Sequence, residues 1–132
     1  RDGMSKRSPY EYAVVRVVPS VEREEFVNAG VILFCKAKRF LAARVHLDEA
    51  CVLRIAPGAD MVAIRETLGL IPRIAAGERS GGSMATLPPA ERFRWLASPR
   101  STMLQMSPVH AGLCDDPAAV LEELFRRLVC RE

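Results

Sequence analysis

Three successive segments rich in β-branched and apolar residues constrain the fold more than any other feature. They are Tyr10–Pro19 (YEYAVVRVVP), Val27–Cys35 (VNAGVILFC) and Arg39–Leu47 (RFLAARVHL). The first is apolar on both of its alternating faces, which predicts a central strand covered on both sides. Pro19 ends it. The link Lys36-Ala37-Lys38 is short and charged, so the second and third segments are expected to form a hairpin, although it lacks the Gly or Asn that two-residue turns favour. Between the first two strands, Ser20 followed by Val21-Glu22-Arg23-Glu24-Glu25-Phe26 has the capping hydroxyl and first-turn acids of a short helix.

A sheet apolar on two faces needs helices, and the rest of the chain supplies them. Asp48–Ala56 starts with acids and stops before Pro57-Gly58. From Asp60, residues Met61, Ile64, Leu68 and Ile71 recur on one helical face, with Pro72 expected to end or bend the helix. Arg79-Ser80-Gly81-Gly82-Ser83 reads as a flexible loop, and Pro88-Pro89 precede a short helix over Ala90–Ala97. Ser101–Val109 is expected to be a fourth strand, at an edge because of Pro108. In the last segment Asp116 caps, Pro117 takes the first helical position, and Leu121, Leu124, Phe125 and Leu128 form the buried stripe. Glu122–Arg126 and Glu123–Arg127 stand four apart in the favourable direction. The expected fold is α+β: a small antiparallel sheet of about four strands with helices packed on it, over residues 10–132. Residues 1–9 form a tail whose start, Arg1–Gly3 before Met4, looks like a tag scar.

Composition excludes several classes. The 132 residues are 49% hydrophobic and 27% charged, the balance of one globular domain. The longest apolar run, Ala29–Cys35, falls far short of the about 18 residues of a membrane span. No signal peptide is apparent, so a cytoplasmic location is expected, with no membrane partner. The net charge of +3 comes from 19 basic and 16 acidic residues, and the tail carries two of the three. A near-neutral domain argues against a broad non-specific nucleic-acid surface. Cys35, Cys51, Cys114 and Cys130 lie far apart without a C-x-x-C pair, as reduced thiols do.

Two groups of residues are candidate ligand-binding sites. Alternation places Arg16 with Tyr12, Val14 and Val18, places Arg44 and His46 with Phe40 and Ala42, and places Asn28 with Gly30, Ile32 and Phe34. If pairing joins these faces, Arg16, Asn28, Arg44 and His46 form a polar patch suited to phosphate or carboxylate; the alternative is a solvated sheet face. The second group, Arg92, Arg94, Trp95, Arg100, Ser101, Gln105 and His110, holds the single Trp beside arginines, a combination that can stack a base and hold phosphate. The alternative there is a Trp that caps the core beside water-facing arginines. No catalytic signature appears: Ser101 is in no G-x-S-x-G elbow, and neither a phosphate-binding loop nor a dinucleotide fingerprint occurs, so no catalytic residue and no cofactor is assigned. His46-x4-Cys51 and His110-x3-Cys114 have half-site spacing for zinc, but unrelated core thiols are the plainer reading and no metal is expected.

The strings YEYAVVRVVP from Tyr10, EEFVNAGVILFC from Glu24, RFLAARV from Arg39, RFRWLASPRST from Arg92 and SPVHAGLCDDP from Ser107 together resemble a small bacterial family catalogued only as a domain of unknown function. The resemblance spans Tyr10 to about Val129 and implies no established activity. It implies a setting: members are often encoded beside a kinase-like protein related to persistence toxins, as in a toxin–antitoxin association. Cys114 stands where the resemblance leads one to expect a hydroxyl residue, which weakens the metal reading further. The expected function is therefore a non-enzymatic cytosolic accessory domain that binds, and regulates, a kinase-like protein partner. The alternative is a nucleotide- or nucleic-acid-binding protein, conceivably with phosphodiester chemistry, that uses the Arg/Trp/His group. A structural homodimer is a third reading.

Overall fold

The computed structural model describes residues 7–20, 25–98 and 104–130. The helix expected after Ser20 falls largely on 21–24, outside the described residues; Glu25 and Phe26 themselves are strand. Among the described residues, β1 (Ser8–Ser20), β2 (Glu25–Cys35), β3 (Phe40–Val45), β4 (Leu104–Met106) and β5 (His110–Cys114) form one antiparallel sheet. The order is β3-β2-β1, with β4 and β5 sharing the second edge of β1. Helices α1 (Glu49–Ile55), α2 (Met61–Ala75) and α3 (Pro89–Leu96) come between β3 and β4, and α4 (Pro117–Phe125) follows β5. This is the expected α+β fold, with strand β1 at its centre.

Both faces of the sheet are covered, as the apolar pattern of β1 requires. On one face Val15, Val17, Ile32, Phe34 and Ala43 pack with Val52 of α1, with Ile64, Leu68, Ile71 and Ile74 of α2, and with Phe93 and Leu96 of α3. Phe34 and Phe93 stack there with ring centroids 5.5 Å apart. On the other face Val31 and Leu33 meet Leu121 and Leu124 of α4, with Tyr10, Tyr12, Phe40 and Leu128 around them. Asp116 caps α4 as the sequence predicts, and Asp48 and Asp60 also prove to be caps: the three side chains accept from the first-turn amides of α4, α1 and α2.

The structure departs from the sequence expectations at definite places. Pro72 does not end α2, which continues to Ala75. The buried side chains of Ile71, Ile74 and Ala75 hold the last turn, offsetting the hydrogen bond that a proline removes. The Arg79–Ser83 stretch is not simply loop: it forms 3₁₀ turns at Arg79–Gly81 and Ser83–Thr86. The expected fourth strand is two strands in line along β1. Val14 faces Ser107 and Tyr12 faces His110, so Pro108 and Val109 together stand opposite Ala13. One extra residue makes a bulge, and a proline fits there because no ladder donor is needed. Glu122 pairs not with Arg126 but with Arg44 of β3, and Glu123 pairs with Arg126, three residues on; the helix then widens into a π-turn at Arg126–Cys130.

Ser107 closes the bulge. Its amide donates to the Val14 carbonyl at 2.9 Å, and its hydroxyl oxygen accepts from the Val14 amide at 2.8 Å. The hydroxyl then donates to the Pro108 carbonyl at 2.8 Å. The side chain thus takes the place of a strand carbonyl in the ladder. Ser107→Ala leaves the buried Val14 amide without an acceptor, and is expected to lose about 1–3 kcal/mol in chemical denaturation. At the β2–β3 turn the Arg39 amide donates to Lys36, and Arg39 itself adopts φ 53°, a left-handed conformation that a side chain disfavours. Arg39→Gly is expected to raise the melting temperature by a few degrees, about 0.5–1 kcal/mol, despite the extra freedom glycine gives the unfolded chain.

Candidate functional site

The four sheet-face candidates gather at one end of the face covered by α4, and a bulge in β2 brings Asn28 to the other three. Val15 pairs with Gly30 and Arg16 pairs with Asn28, so Ala29 is the extra residue. Strict alternation puts Asn28 with Ile32 and Phe34; the bulge turns it instead to the face of Arg16, Val31 and Leu33. The carbonyl of Ala29 accepts from the His46 amide at 2.8 Å, which ties the end of β3 to the bulge. Gly30 beside it makes the close approach possible: a Cβ there would lie 2.8 Å from the Arg44 carbonyl oxygen.

Each side chain of this corner is held differently. The Arg16 guanidinium carbon lies 4.4 Å from the centroid of Phe26, whose ring is 48% exposed. Its Nε is buried with no hydrogen-bond partner among the described residues. Asn28 donates through Nδ2 to the Leu128 carbonyl at 3.1 Å, while its buried Oδ1 accepts nothing there. Arg44 stands opposite Val31, 4.6 Å over the Phe125 ring, and pairs with Glu122. The exposed His46 lines a cavity of about 240 Å³ with Phe26, Asn28, Asp48, Cys51 and Arg54. A second groove of about 490 Å³ lies between Arg44, Glu122, Phe125 and Arg126, and both hollows touch Cys130 at the end of the π-turn. The corner therefore brings two guanidinium groups over aromatic rings, an imidazole and the arginines Arg54 and Arg126 together with the acids Asp48 and Glu122, and arginines of this kind can meet carboxylate or phosphate oxygens.

The other candidates do not converge. Arg92 is half-buried and ties the end of α2 to the start of α3, donating to the Leu87 carbonyl at 2.7 Å and the Ala75 carbonyl at 3.3 Å. Trp95 is partly buried against the first core. Arg94 is exposed and lines a separate groove of about 360 Å³ beside Phe34, Phe93 and Val109. His110 pairs across to Tyr12, their rings 5.2 Å apart, on the face that α4 covers, so the sheet separates it from Trp95 and Arg94. Arg100 and Ser101 lie outside the described residues. Gln105 pairs with Arg16 on β1, far from the helix it was grouped with.

The two half-sites weighed for zinc also stay apart. His46 and Cys51 line the small cavity, whereas Cys114 is buried against Cys35. Among the described residues no three His, Cys, Asp or Glu side chains stand together as metal ligands would. Sequence reasoning missed Phe26, Arg54, Glu122 and Cys130 as members of the corner, and named Cys51 only as a metal half-site with His46. Phe26 carried a signal, a large aromatic next to a run of acids; Arg54, Glu122 and Cys130 become neighbours only through the docking of α1, α4 and the turn after it.

A family model described as Protein of unknown function (DUF3037) matches residues 12–129. The chain belongs to that family. As a DUF3037 member it carries the corner and both hollows within the matched span, apart from Cys130. No curated protein matches the chain, and no solved structure matches it. Among the described residues, no helix is long and apolar enough to cross a membrane.

The four thiols differ in environment. Burial pushes the Cys114 thiol up, and the adjoining Cys35 thiol, with which it hydrogen-bonds, raises it further. Cys130 is exposed and Cys51 partly so. At neutral pH N-ethylmaleimide is expected to label Cys130 and then Cys51, leaving Cys35 and Cys114 unmodified until the protein is unfolded; peptide mass mapping checks the order.

Proposed function

We propose that this domain is a non-enzymatic accessory module that binds a protein partner through the corner formed by Arg16, Asn28, Arg44 and His46. One observation carries the reading: His46, Arg54 and the exposed Phe26 line one cavity, with the Arg16 guanidinium over Phe26 and the Arg44 guanidinium over Phe125 beside it. Such a surface suits a segment bearing carboxylate or phosphate groups, with an apolar residue for the floor. The resemblance of the chain to a family encoded beside kinase-like proteins supplies the class of partner, and regulation of that kinase-like protein is the role. Nucleotide or nucleic-acid binding through Arg92, Arg94, Trp95, Arg100, Ser101 and His110 draws less support, since Arg92 is committed to two carbonyls and His110 faces away from the rest.

Co-expression of the untagged chain with its kinase-like genomic neighbour, followed by native mass spectrometry, tests the proposal. A stable complex is expected. The double variant His46→Ala, Arg54→Glu is expected to weaken it about tenfold or more with little change in melting temperature, because both side chains are exposed. Recovery of the chain at its own mass alone would sink the partner reading. Wild-type affinity in the double variant would move the interface away from this corner.

A further inference from the structure

We infer that the outer edge of β5 is a self-recognition surface on which a second copy of this chain pairs, strand to strand. This does not rest on the corner described above, which lies at the opposite end of β1.

The hydrogen-bond parity of β1 decides which groups on β5 are free. Val14 exchanges hydrogen bonds with Ser107 on the β4–β5 side of β1, so the even-numbered residues of β1 point their amides and carbonyls to that side. Ser8, Tyr10 and Tyr12 accordingly bond Cys114, Gly112 and His110. The amides and carbonyls of Ala111 and Leu113 then point outward, where no described strand meets them. The contrast with the other edge is plain: β3 is flanked by α2 and α4, whereas β1 is the one element against which β5 packs extensively.

Exposed strand edges are normally blunted by charge, proline or a covering element. Among the described residues, this one has none of these. Its sequence, His110-Ala111-Gly112-Leu113-Cys114, contains no Lys, Arg, Asp, Glu or Pro, and Leu113 is 61% exposed, more than any other large apolar side chain described. Val109, just before the strand, is 45% exposed. Gly112 keeps the edge flat: the Tyr10 ring lies over it, so closely that a Cβ would fall 2.6 Å from the phenolic oxygen.

The edge is complementary to itself. A two-fold axis at Gly112 runs two β5 strands antiparallel and pairs the outward groups of Ala111 with those of Leu113 in the second copy, and the reverse. Directly opposite residues share a face, so each Leu113 side chain lies on the small Ala111 of the other copy. The groove beside the seam carries one acid and one base, Glu11 and Arg94, and the acids Asp115 and Asp116 come only after the last paired residue.

Sedimentation equilibrium of the untagged chain tests the inference. The expected result is a concentration-dependent rise from the 14.6 kDa monomer mass to twice that value at up to about 200 µM. Leu113→Lys, at an exposed position, is expected to raise the dimer dissociation constant about tenfold or more while leaving the far-ultraviolet spectrum unchanged. Amide hydrogen exchange of the wild-type chain gives a second reading that no variant can confuse: Ala111 and Leu113 are expected to exchange freely in dilute protein and to be protected in concentrated protein. A monomer at every concentration overturns the inference. So does a dimer that Leu113→Lys leaves intact, or protection of the two amides that appears only when another protein is added.

Discussion

Strand β1 is paired along both edges and buried on both faces, and the other elements take their places from it. Ala13, Val15 and Val17 are fully buried, and Val14 and Val18 nearly so. No two-stranded hairpin can satisfy such a strand, because it leaves one edge of amides and one apolar face in water. The chain meets this demand over a long separation. Among the described residues, the edge away from β2 is filled by residues 104–114, and the far face by α4 and the π-turn that follows it. The termini of the fold are thereby closed against its beginning, and the helices between β3 and β4 are enclosed as one side of the sandwich.

Two bulges adapt this frame to particular side chains. The one at Pro108-Val109 lets a single stretch of chain follow β1 in two registers, and the Ser107 hydroxyl restores the hydrogen bond the bulge would lose. The one at Ala29 turns Asn28 toward α4 and anchors His46 through its backbone. In both cases a single inserted residue inverts the side-chain alternation beyond it, so its effect on surface chemistry far exceeds its size. Asn28 belongs to the corner because of the second bulge: without it the side chain would point into the core shared with Ile32 and Phe34.

Much of the fold was legible because it is written in local chemistry. The Asp-Pro start of α4, the apolar stripe of α2, and the apolar strands of the β2–β3 hairpin all act through neighbours in the chain. The candidate site was legible only in part. Arg16, Arg44 and His46 could be placed on strand faces by alternation, and they do share one end of the sheet. Their true companions could not be read. Glu122 reaches Arg44 across 78 positions of chain, and the Leu128 carbonyl reaches Asn28 across 100, through a π-turn that no periodicity announces. Arg92 shows the opposite error, for a cluster dense in unusual residues along the chain is divided by the helix that carries it and by the sheet beneath.

The amino-acid sequence by itself determined the strands, the capped helices and the need to cover β1 on two faces, because backbone propensity, capping and apolar periodicity operate within a few residues. Tertiary structure alone decided where the bulges at Ala29 and Pro108-Val109 fall, which carbonyls meet Arg92 and Asn28, and that no described strand pairs with the outer edge of β5. Those outcomes depend on which distant segment supplies the opposing hydrogen-bond donor or acceptor, and that partner exists only once the sheet has closed.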